Sequence, residues 1–212
     1  MIPLVVLGAT EFSAEIAQVI RDTGRYSVEA FVENDVPERA NGTVDGLPVV
    51  WIDEAAPLAR THIAVCGLGT TTRRRFTHQA QKLGFEFATI VHPSAHVAES
   101  ASLGEGTVVS AGVIVGAHTS IGRHVIVNRG CLIGHHTTID DHVSLQSGAN
   151  IAGLCFIGAG TYVGMGALVL NTVRVGAGAV VAAGAVVTRE VPANVQVMGV
   201  PARIVKEGVD GR

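Results

Sequence analysis

Residues 109–138 read VSAGVI-VGAHTS-IGRHVI-VNRGCL-IGHHTT, five blocks of six residues that each begin with an aliphatic side chain. The same period continues without a break from Val97 to Val187, so that sixteen consecutive blocks start with Val, Leu or Ile. Four positions after each aliphatic residue, from Ala101 to Ala185, the residue is Ala, Thr, Val or Cys. A period of six is neither helical nor a simple strand alternation, and it predicts a parallel β-helix built from hexapeptides.

The repeat also predicts how this β-helix is filled and which residues stack. One large and one small inward side chain per block fill a narrow triangular prism, and the residues between them turn its corners. Three blocks complete one coil, so residues 18 apart are expected to lie about 4.8 Å above one another. His118 is then predicted to lie under His136, and His124 under His142, all on outward-facing corners.

The first 90 residues follow a different pattern, in which strand and helix signals alternate. Strands are predicted over 2–7, 28–33, 62–66 and 85–91, and helices after Thr10 and over 71–83. This order predicts a small Rossmann-like α/β domain with a parallel sheet, in which ligands bind beyond the carboxyl ends of the strands. Three such ends carry polar or glycine-containing segments: Gly8-Ala9-Thr10, Glu33-Asn34-Asp35 and Gly67-Leu68-Gly69.

The composition excludes several classes of protein. With 48% hydrophobic and 16% charged residues in a chain of 212, disorder is excluded, and 15 Lys plus Arg against 18 Asp plus Glu give no basic field for nucleic acid. There is neither a basic leader segment nor an apolar run of membrane-spanning length, so we expect a cytoplasmic protein without a membrane partner.

The three cysteines do not suggest a disulfide framework. Cys131 and Cys155 occupy the small inward position of the repeat, and Cys66 ends a predicted buried strand. Buried thiols without a cationic neighbour are inert, so we expect all three to be core residues rather than nucleophiles.

One long stretch carries a resemblance to a known family. The segment VNRGCLIGHHTTIDDHVSLQSGANIAG (127–153), together with MGVPA (198–202), resembles the sugar O/N-acyltransferases of the sialic-acid O-acetyltransferase and UDP-4-amino-sugar N-acetyltransferase type. The resemblance covers essentially the whole chain. It implies a left-handed parallel β-helix acyltransferase domain over residues 91–212 that works as a homotrimer, and an acceptor-binding α/β domain over residues 1–90.

The resemblance implies an acetyltransferase that moves an acetyl group from acetyl-CoA directly to an amino or hydroxyl group of a nucleotide-linked sugar, with no metal. His135 matches the general base of the family, and Gly153 matches the residue whose amide meets the thioester carbonyl. The repeat agrees, because Gly153 follows His135 by 18 positions and is expected one coil away. The positions matching coenzyme contacts are His142, Gly153, Met165, Ala183, Gly199, Pro201 and Ala202. From their charge, Arg203 and Lys206 are predicted to meet coenzyme phosphates.

The acceptor is predicted to bind at the strand ends of the first domain. The predicted acceptor residues are Gly8, Ala9, Thr10, Glu33, Asn34, Asp35, Gly67 and Arg73. The family has a first loop of the form Gly-Ala-x-Gly-x-Gly, whereas Glu11 and Ser13 replace the two later glycines here. The family also follows its base with Asp or Glu, whereas this chain has His136. The sequence leaves open which sugar and which acyl chain are used, and whether these two departures change the substrate or the activity.

Two other functions fit the same repeat. One is a zinc enzyme of the γ-carbonic-anhydrase type, which pairs histidines five positions apart. The spacings from His118 to His124, from His136 to His142 and from His135 to His142 do not match that rule. The second is a non-catalytic trimer that has kept the scaffold, which the missing carboxylate and loop glycines favour.

Overall fold

In the computed structural model, which describes residues 1–212, the N-terminal part of the chain is a five-stranded sheet between two helices. Its strands, in the spatial order β3-β4-β2-β1-β5, are β1 (Ile2–Leu7), β2 (Tyr26–Glu33), β3 (Thr43–Val44), β4 (Leu47–Trp51) and β5 (Ile63–Cys66). All neighbours are parallel except the hairpin of β3 and β4. Three short 3-10 helices cover Pro37–Arg39, Ile52–Glu54 and Leu58–Arg60.

The alternation of side chains along β1 explains the position of the two helices. Leu4 and Val6 pack with the apolar side of α1 (Glu11–Asp22), while Val5 and Leu7 pack with Phe76 from α2 (Arg73–Lys82). The helices therefore cover opposite faces of the sheet, because successive strand residues point to opposite sides. Neither helix is long and apolar enough to cross a membrane.

The structure differs from the sequence prediction in two places in this part of the chain. The hairpin of β3 and β4 was not predicted, and the strand predicted over 85–91 is reduced to a single bridge between Phe87 and Ala64. The residues after Phe87 leave the sheet because they begin the β-helix, where the Ile90 N–H donates to the Thr107 carbonyl at 2.8 Å.

The β-helix is wound from two-residue strands at the six-residue period that the sequence predicts. In chain order they are β6 (Ile90–Val91), β7 (His96–Val97), β8 (Ser102–Leu103), β9 (Val108–Val109), β10 (Ile114–Val115), β11 (Ser120–Ile121), β12 (Ile126–Val127), β13 (Leu132–Ile133), β14 (Thr138–Ile139), β15 (Ser144–Leu145), β16 (Asn150–Ile151), β17 (Phe156–Ile157), β18 (Tyr162–Val163), β19 (Leu168–Val169), β20 (Arg174–Val175), β21 (Val180–Val181) and β22 (Val186–Val187).

Every third strand joins the same sheet, which gives the prism three faces. The first face contains β6, β9, β12, β15, β18 and β21. The second contains β7, β10, β13, β16, β19 and β22, and the third contains β8, β11, β14, β17 and β20. All solenoid pairs are parallel and join residues 18 apart, for example Ile133 with Ile151. The aliphatic residue that opens each block points inward and is buried from Val109 onward. The predicted six-residue period, the pairing of residues 18 apart and the inward-facing aliphatic core are therefore confirmed.

The N-terminal sheet covers the first face of the prism. Val108 and Ile126 point outward from this face, yet they are buried together with Leu4 and Ile16 in one apolar cluster. At the far end the first face continues into a hairpin of β23 (Val195–Gly199) and β24 (Ala202–Glu207). The chain then returns toward α2, where the Arg212 N–H donates to Thr71 Oγ1 at 2.9 Å. The last residues therefore lie between the two parts of the chain.

Candidate active site

His135 and Gly153 lie together on the corner between the second and third faces. His135 is exposed, and its ring lies against Gly153 so closely that a Cβ on Gly153 would stand 2.8 Å from Nε2 of the imidazole. The Gly153 carbonyl accepts a hydrogen bond from Thr172, whereas its N–H has no partner within the chain. A free ring nitrogen and a free peptide N–H thus stand side by side at the surface.

The side chain next to His135 is also a histidine. Nδ1 of His135 and Nδ1 of His136 are 3.1 Å apart, so one ring donates a hydrogen bond and the other accepts it. His136 packs against His118 of the coil below, with 4.7 Å between ring centroids. The predicted stacking of His118 under His136 is confirmed.

This corner can act on a proton and on a developing negative charge at the same time. An imidazole with a free nitrogen can accept a proton near neutral pH. A free peptide N–H can stabilise an oxyanion that forms within hydrogen-bonding distance. The pair therefore supplies the two groups that an acyl transfer needs.

His142 does not join this pair, because it lies on a different corner. It stacks on His124 between the third and first faces, with 5.1 Å between centroids, and His124 packs edge-on against Phe87. Burial lowers the pKa of both imidazoles to about 4, so both are neutral at neutral pH. His124, predicted on an outward-facing corner, is buried because the N-terminal domain covers this corner.

Two of the residues predicted to contact coenzyme, Met165 and Ala183, lie on the third corner of the triangle, between the first and second faces. Met165, Ala183 and Lys206 line one cavity of about 330 Å³ there. Gly199, Pro201 and Ala202 lie in the hairpin at the end of the prism and do not line this cavity. Within one chain, this cavity and the His135 imidazole thus belong to different corners. The Arg203 guanidinium donates to the Ala202 carbonyl at the surface of this hairpin.

A larger cavity, of about 680 Å³, opens between the N-terminal domain and the prism. Four predicted acceptor residues line it: Thr10, Glu33, Asn34 and Asp35. Glu33 is buried, and its carboxylate accepts from the backbone N–H groups of Asn34 and Asp35 and from Arg39. Part of its hydrogen-bonding capacity is therefore used to hold the strand end.

Gly8, Ala9 and Gly67, three further predicted acceptor residues, are all buried and do not line this cavity. The Leu68 side chain fills the space above Gly8, where a Cβ would stand 2.7 Å from it. The helix start is also closed, because Thr10 and Ser13 cap α1 reciprocally. Ser13, which replaces the last of the family's loop glycines, thus closes this loop together with Thr10 and Leu68.

Arg73, predicted to contact the acceptor, instead has a fully buried side chain and lines neither substrate cavity. The guanidinium donates to the carbonyls of His124 and Val143 and to Ser144 Oγ, all in the β-helix, and to the Thr70 carbonyl. Burial lowers the pKa of this group to about 10, so it keeps its charge at neutral pH. Arg73 ties α2 to the prism.

Sequence reasoning missed the cations that line the large cavity. Arg39 pairs with Glu33 and Arg129 with Glu15, whereas Arg212 has no carboxylate partner and lies over the ring of Tyr162. No periodic or motif signal marks Arg212 in the sequence, because its position depends on the path of residues 208–212 back to α2. No group of three or more His, Cys, Asp or Glu side chains is placed to hold a metal ion.

Comparisons with known proteins bear on this geometry. No protein-family model matches the chain, and no curated protein sequence does. Among solved structures, the chain is similar to a histidine-to-asparagine variant of perosamine N-acetyltransferase from Caulobacter crescentus, in complex with CoA and GDP-perosamine. The two are 32% identical with a TM-score of 0.89, and the match covers 97% of each chain. The acetyltransferase domain of PglB from Neisseria gonorrhoeae is 30% identical with a TM-score of 0.88, covering 97% of this chain and 100% of that one. WeeI from Acinetobacter baumannii is 26% identical over the same shares, also with a TM-score of 0.88.

Proposed function

The chain belongs to the hexapeptide-repeat sugar acetyltransferases with a β-helix fold, and from that membership we propose that it transfers an acetyl group from acetyl-CoA to an amino group of a nucleotide-linked sugar. The observation that carries the proposal is the imidazole of His135 beside the free N–H of Gly153. CoA with GDP-perosamine in one relative, and acetyl-CoA in another, support the two substrate classes.

In the proposed mechanism the acceptor attacks the thioester directly. Nε2 of His135 takes a proton from the acceptor amine while the amine nitrogen forms a bond to the acetyl carbonyl carbon. The N–H of Gly153 donates to the carbonyl oxygen as negative charge develops there. The tetrahedral intermediate then releases the coenzyme thiolate, which takes the proton from the imidazolium. His135 returns to its starting state.

The cysteines argue for direct transfer rather than an acyl-cysteine intermediate. All three are buried and free of disulfides. Burial raises the pKa of the Cys66 and Cys131 thiols to about 11, and that of Cys155 in the same direction. A thiol that stays protonated at neutral pH is a poor nucleophile.

We propose that the active site is completed by a second chain in a homotrimer. The cavities for the two substrates lie on the corner between the first and second faces, whereas His135 lies on another corner of the prism, so a neighbouring prism is needed to bring them together. The second face supports such packing, because Ile114, Leu132 and Leu168 point outward in register and are exposed. An exposed apolar stripe of this kind is typical of a protein interface.

We further propose a division of roles near residue 90. Residues 1–90, in this proposal a Rossmann-like domain, hold the nucleotide, and residues 91–212 supply the base, the oxyanion donor and the coenzyme groove. The sealed first loop turns the diphosphate away from the start of α1, and Arg212 is the cation in the cavity with no carboxylate partner. Arg212 therefore takes the diphosphate, since guanidinium groups recognise phosphate oxygens with paired hydrogen bonds.

Replacing Arg212 by glutamine tests this assignment. We expect the KM for the nucleotide sugar to rise about 10- to 100-fold, because a charge-assisted hydrogen bond is lost. Arg212 also lines the coenzyme cavity, so a larger rise in the KM for acetyl-CoA would assign Arg212 to the donor instead. Arg60→Gln is the matched control, since Arg60 is exposed on the N-terminal domain and lines neither cavity. Equal KM values for both variants would remove Arg212 from the acceptor site.

Replacing Gly153 by alanine tests the contact between the base and the amide. The added methyl group would collide with Nε2 of His135, so we expect kcat to fall about 10- to 100-fold while both KM values stay within about threefold. The backbone accepts alanine, since Gly153 has no positive φ and Ala177 and Ala183 occupy the same repeat position. Ala177→Gly on another corner is the control, and an active Gly153→Ala enzyme would contradict the proposed site.

The experiment that tests the function follows release of the free thiol from acetyl-CoA in the presence of GDP- and UDP-linked amino sugars. We expect release with at least one amino sugar, and no release with the corresponding sugar whose amino group is already acetylated. Tight binding of coenzyme without release for any acceptor would favour a non-catalytic scaffold. Release with hydroxyl sugars alone would change the acceptor atom to oxygen.

A further inference from the structure

The ring of His136 stands at the position that follows His135, and we propose that His136 is the positioning residue of the general base, holding the imidazole of His135 in the form that can accept a proton. The inference rests on the proposed function, since it concerns the proton transfer in that reaction.

The hydrogen bond between the two rings is compatible with two forms of His135, and only one of them can act as a base. If Nδ1 of His135 carries the proton and donates it to Nδ1 of His136 across 3.1 Å, Nε2 of His135 keeps a free lone pair beside Gly153. If the proton of His135 is on Nε2 instead, the ring has no free nitrogen facing Gly153 and cannot act as a base there. An acceptor at His136 Nδ1 therefore fixes the productive tautomer.

The β-helix holds His136 in place for this role. Its N–H donates to the Ala117 carbonyl at 2.9 Å, and its ring packs against His118 in the coil below. The N–H of His118 is held in turn by Ser100 Oγ at 3.0 Å. The backbone of His136 has φ of 56°, in the left-handed region, where asparagine is also well tolerated.

The surroundings of the pair contain no carboxylate that could take over this role. No Asp or Glu forms an ion pair with His118, His135 or His136. Leu154 lies in the coil above His136. The thiol of Cys155 is one coil away, where it donates to the Gly153 carbonyl at 3.6 Å. Within one chain, the other charged or titratable side chains on this corner and on its two faces are two or three coils away: His96, Glu99, Arg174, Arg189 and Glu190.

Three substitutions of His136 separate positioning from a structural role. In His136→Asn, Oδ1 can replace Nδ1 as the acceptor and the left-handed backbone is kept, so kcat is expected within about threefold of the starting protein. In His136→Ala the acceptor is lost, and kcat is expected to fall about 10- to 100-fold with little change in KM. In His136→Asp a carboxylate oxygen can take the place of Nδ1 as the acceptor, so kcat is again expected within about threefold of the starting protein. Equal activity of the Asn and Ala variants, or loss of activity in the Asn and Asp variants alike, would overturn the proposal.

A measurement that does not depend on activity completes the test. Nitrogen NMR of the ¹⁵N-histidine-labelled protein reports which ring nitrogen carries the proton, and the His135→Ala variant identifies the resonances of His135. We expect a proton on Nδ1 of His135 in the starting protein and in His136→Asn, and its shift toward Nε2 in His136→Ala. A tautomer that is the same in all three proteins would overturn the role of His136. The expected tautomers in a protein that releases no thiol would instead reject the proposed function alone.

Discussion

Replacing His135 by alanine is expected to lower kcat by about 100-fold or more, with little change in coenzyme affinity. The reason is that the acceptor loses the base that takes its proton, while the coenzyme cavity lined by Met165 and Ala183 lies on another corner of the chain. The folded state should be unaffected, since His135 is exposed and its ring bonds to His136 alone.

The measurement is steady-state thiol release together with a coenzyme binding titration. His78→Ala is the matched control, because His78 is exposed on α2 and lines neither substrate cavity. An unchanged kcat in His135→Ala would show that another group takes the proton. A loss of coenzyme binding in proportion to kcat would mean that His135 holds the donor rather than the proton.

The second large effect is expected on stability rather than on catalysis. Arg73→Ala should lower the free energy of unfolding by about 3–5 kcal/mol, because it removes a large buried side chain and leaves buried acceptors without donors. These acceptors include the carbonyls of His124 and Val143 and the hydroxyl of Ser144, so the loss falls on the contact between α2 and the prism.

Urea unfolding compares this variant with Arg75→Ala, an exposed arginine on the same helix that should cost less than about 0.5 kcal/mol. Arg73→Lys, which keeps the charge but not the planar set of donors, should lie between the two and serves if the alanine variant does not accumulate. Equal midpoints for Arg73→Ala and Arg75→Ala would contradict the structural role given to Arg73.

The β-helix was predictable from the sequence because each of its contacts repeats. A side chain at one position of the hexapeptide meets its equivalent 18 residues away, so the pairings of Ile133 with Ile151 and of His118 with His136 follow from the period alone. The neighbourhood of His135 and Gly153 was predictable for the same reason.

The contacts between the N-terminal domain and the prism were not predictable in this way. Arg73 lies in a run of three arginines that looks like a solvated helix face, but α2 turns its first arginine into the junction with the prism. His124 has the repeat position of an outward residue, but Phe87 covers it. Both depend on how two different architectures pack, and no period in the sequence records that packing.

A crystal structure of the protein with CoA and a nucleotide-linked amino sugar bound together is the most direct test of the proposed active site. We expect the acceptor nitrogen within about 3 Å of Nε2 of His135 and the coenzyme sulfur beside the Gly153 N–H, with the nucleotide held by a neighbouring copy of the chain. Substrates bound with their reacting atoms far from His135, or complete within one chain on another corner of the prism, would contradict it.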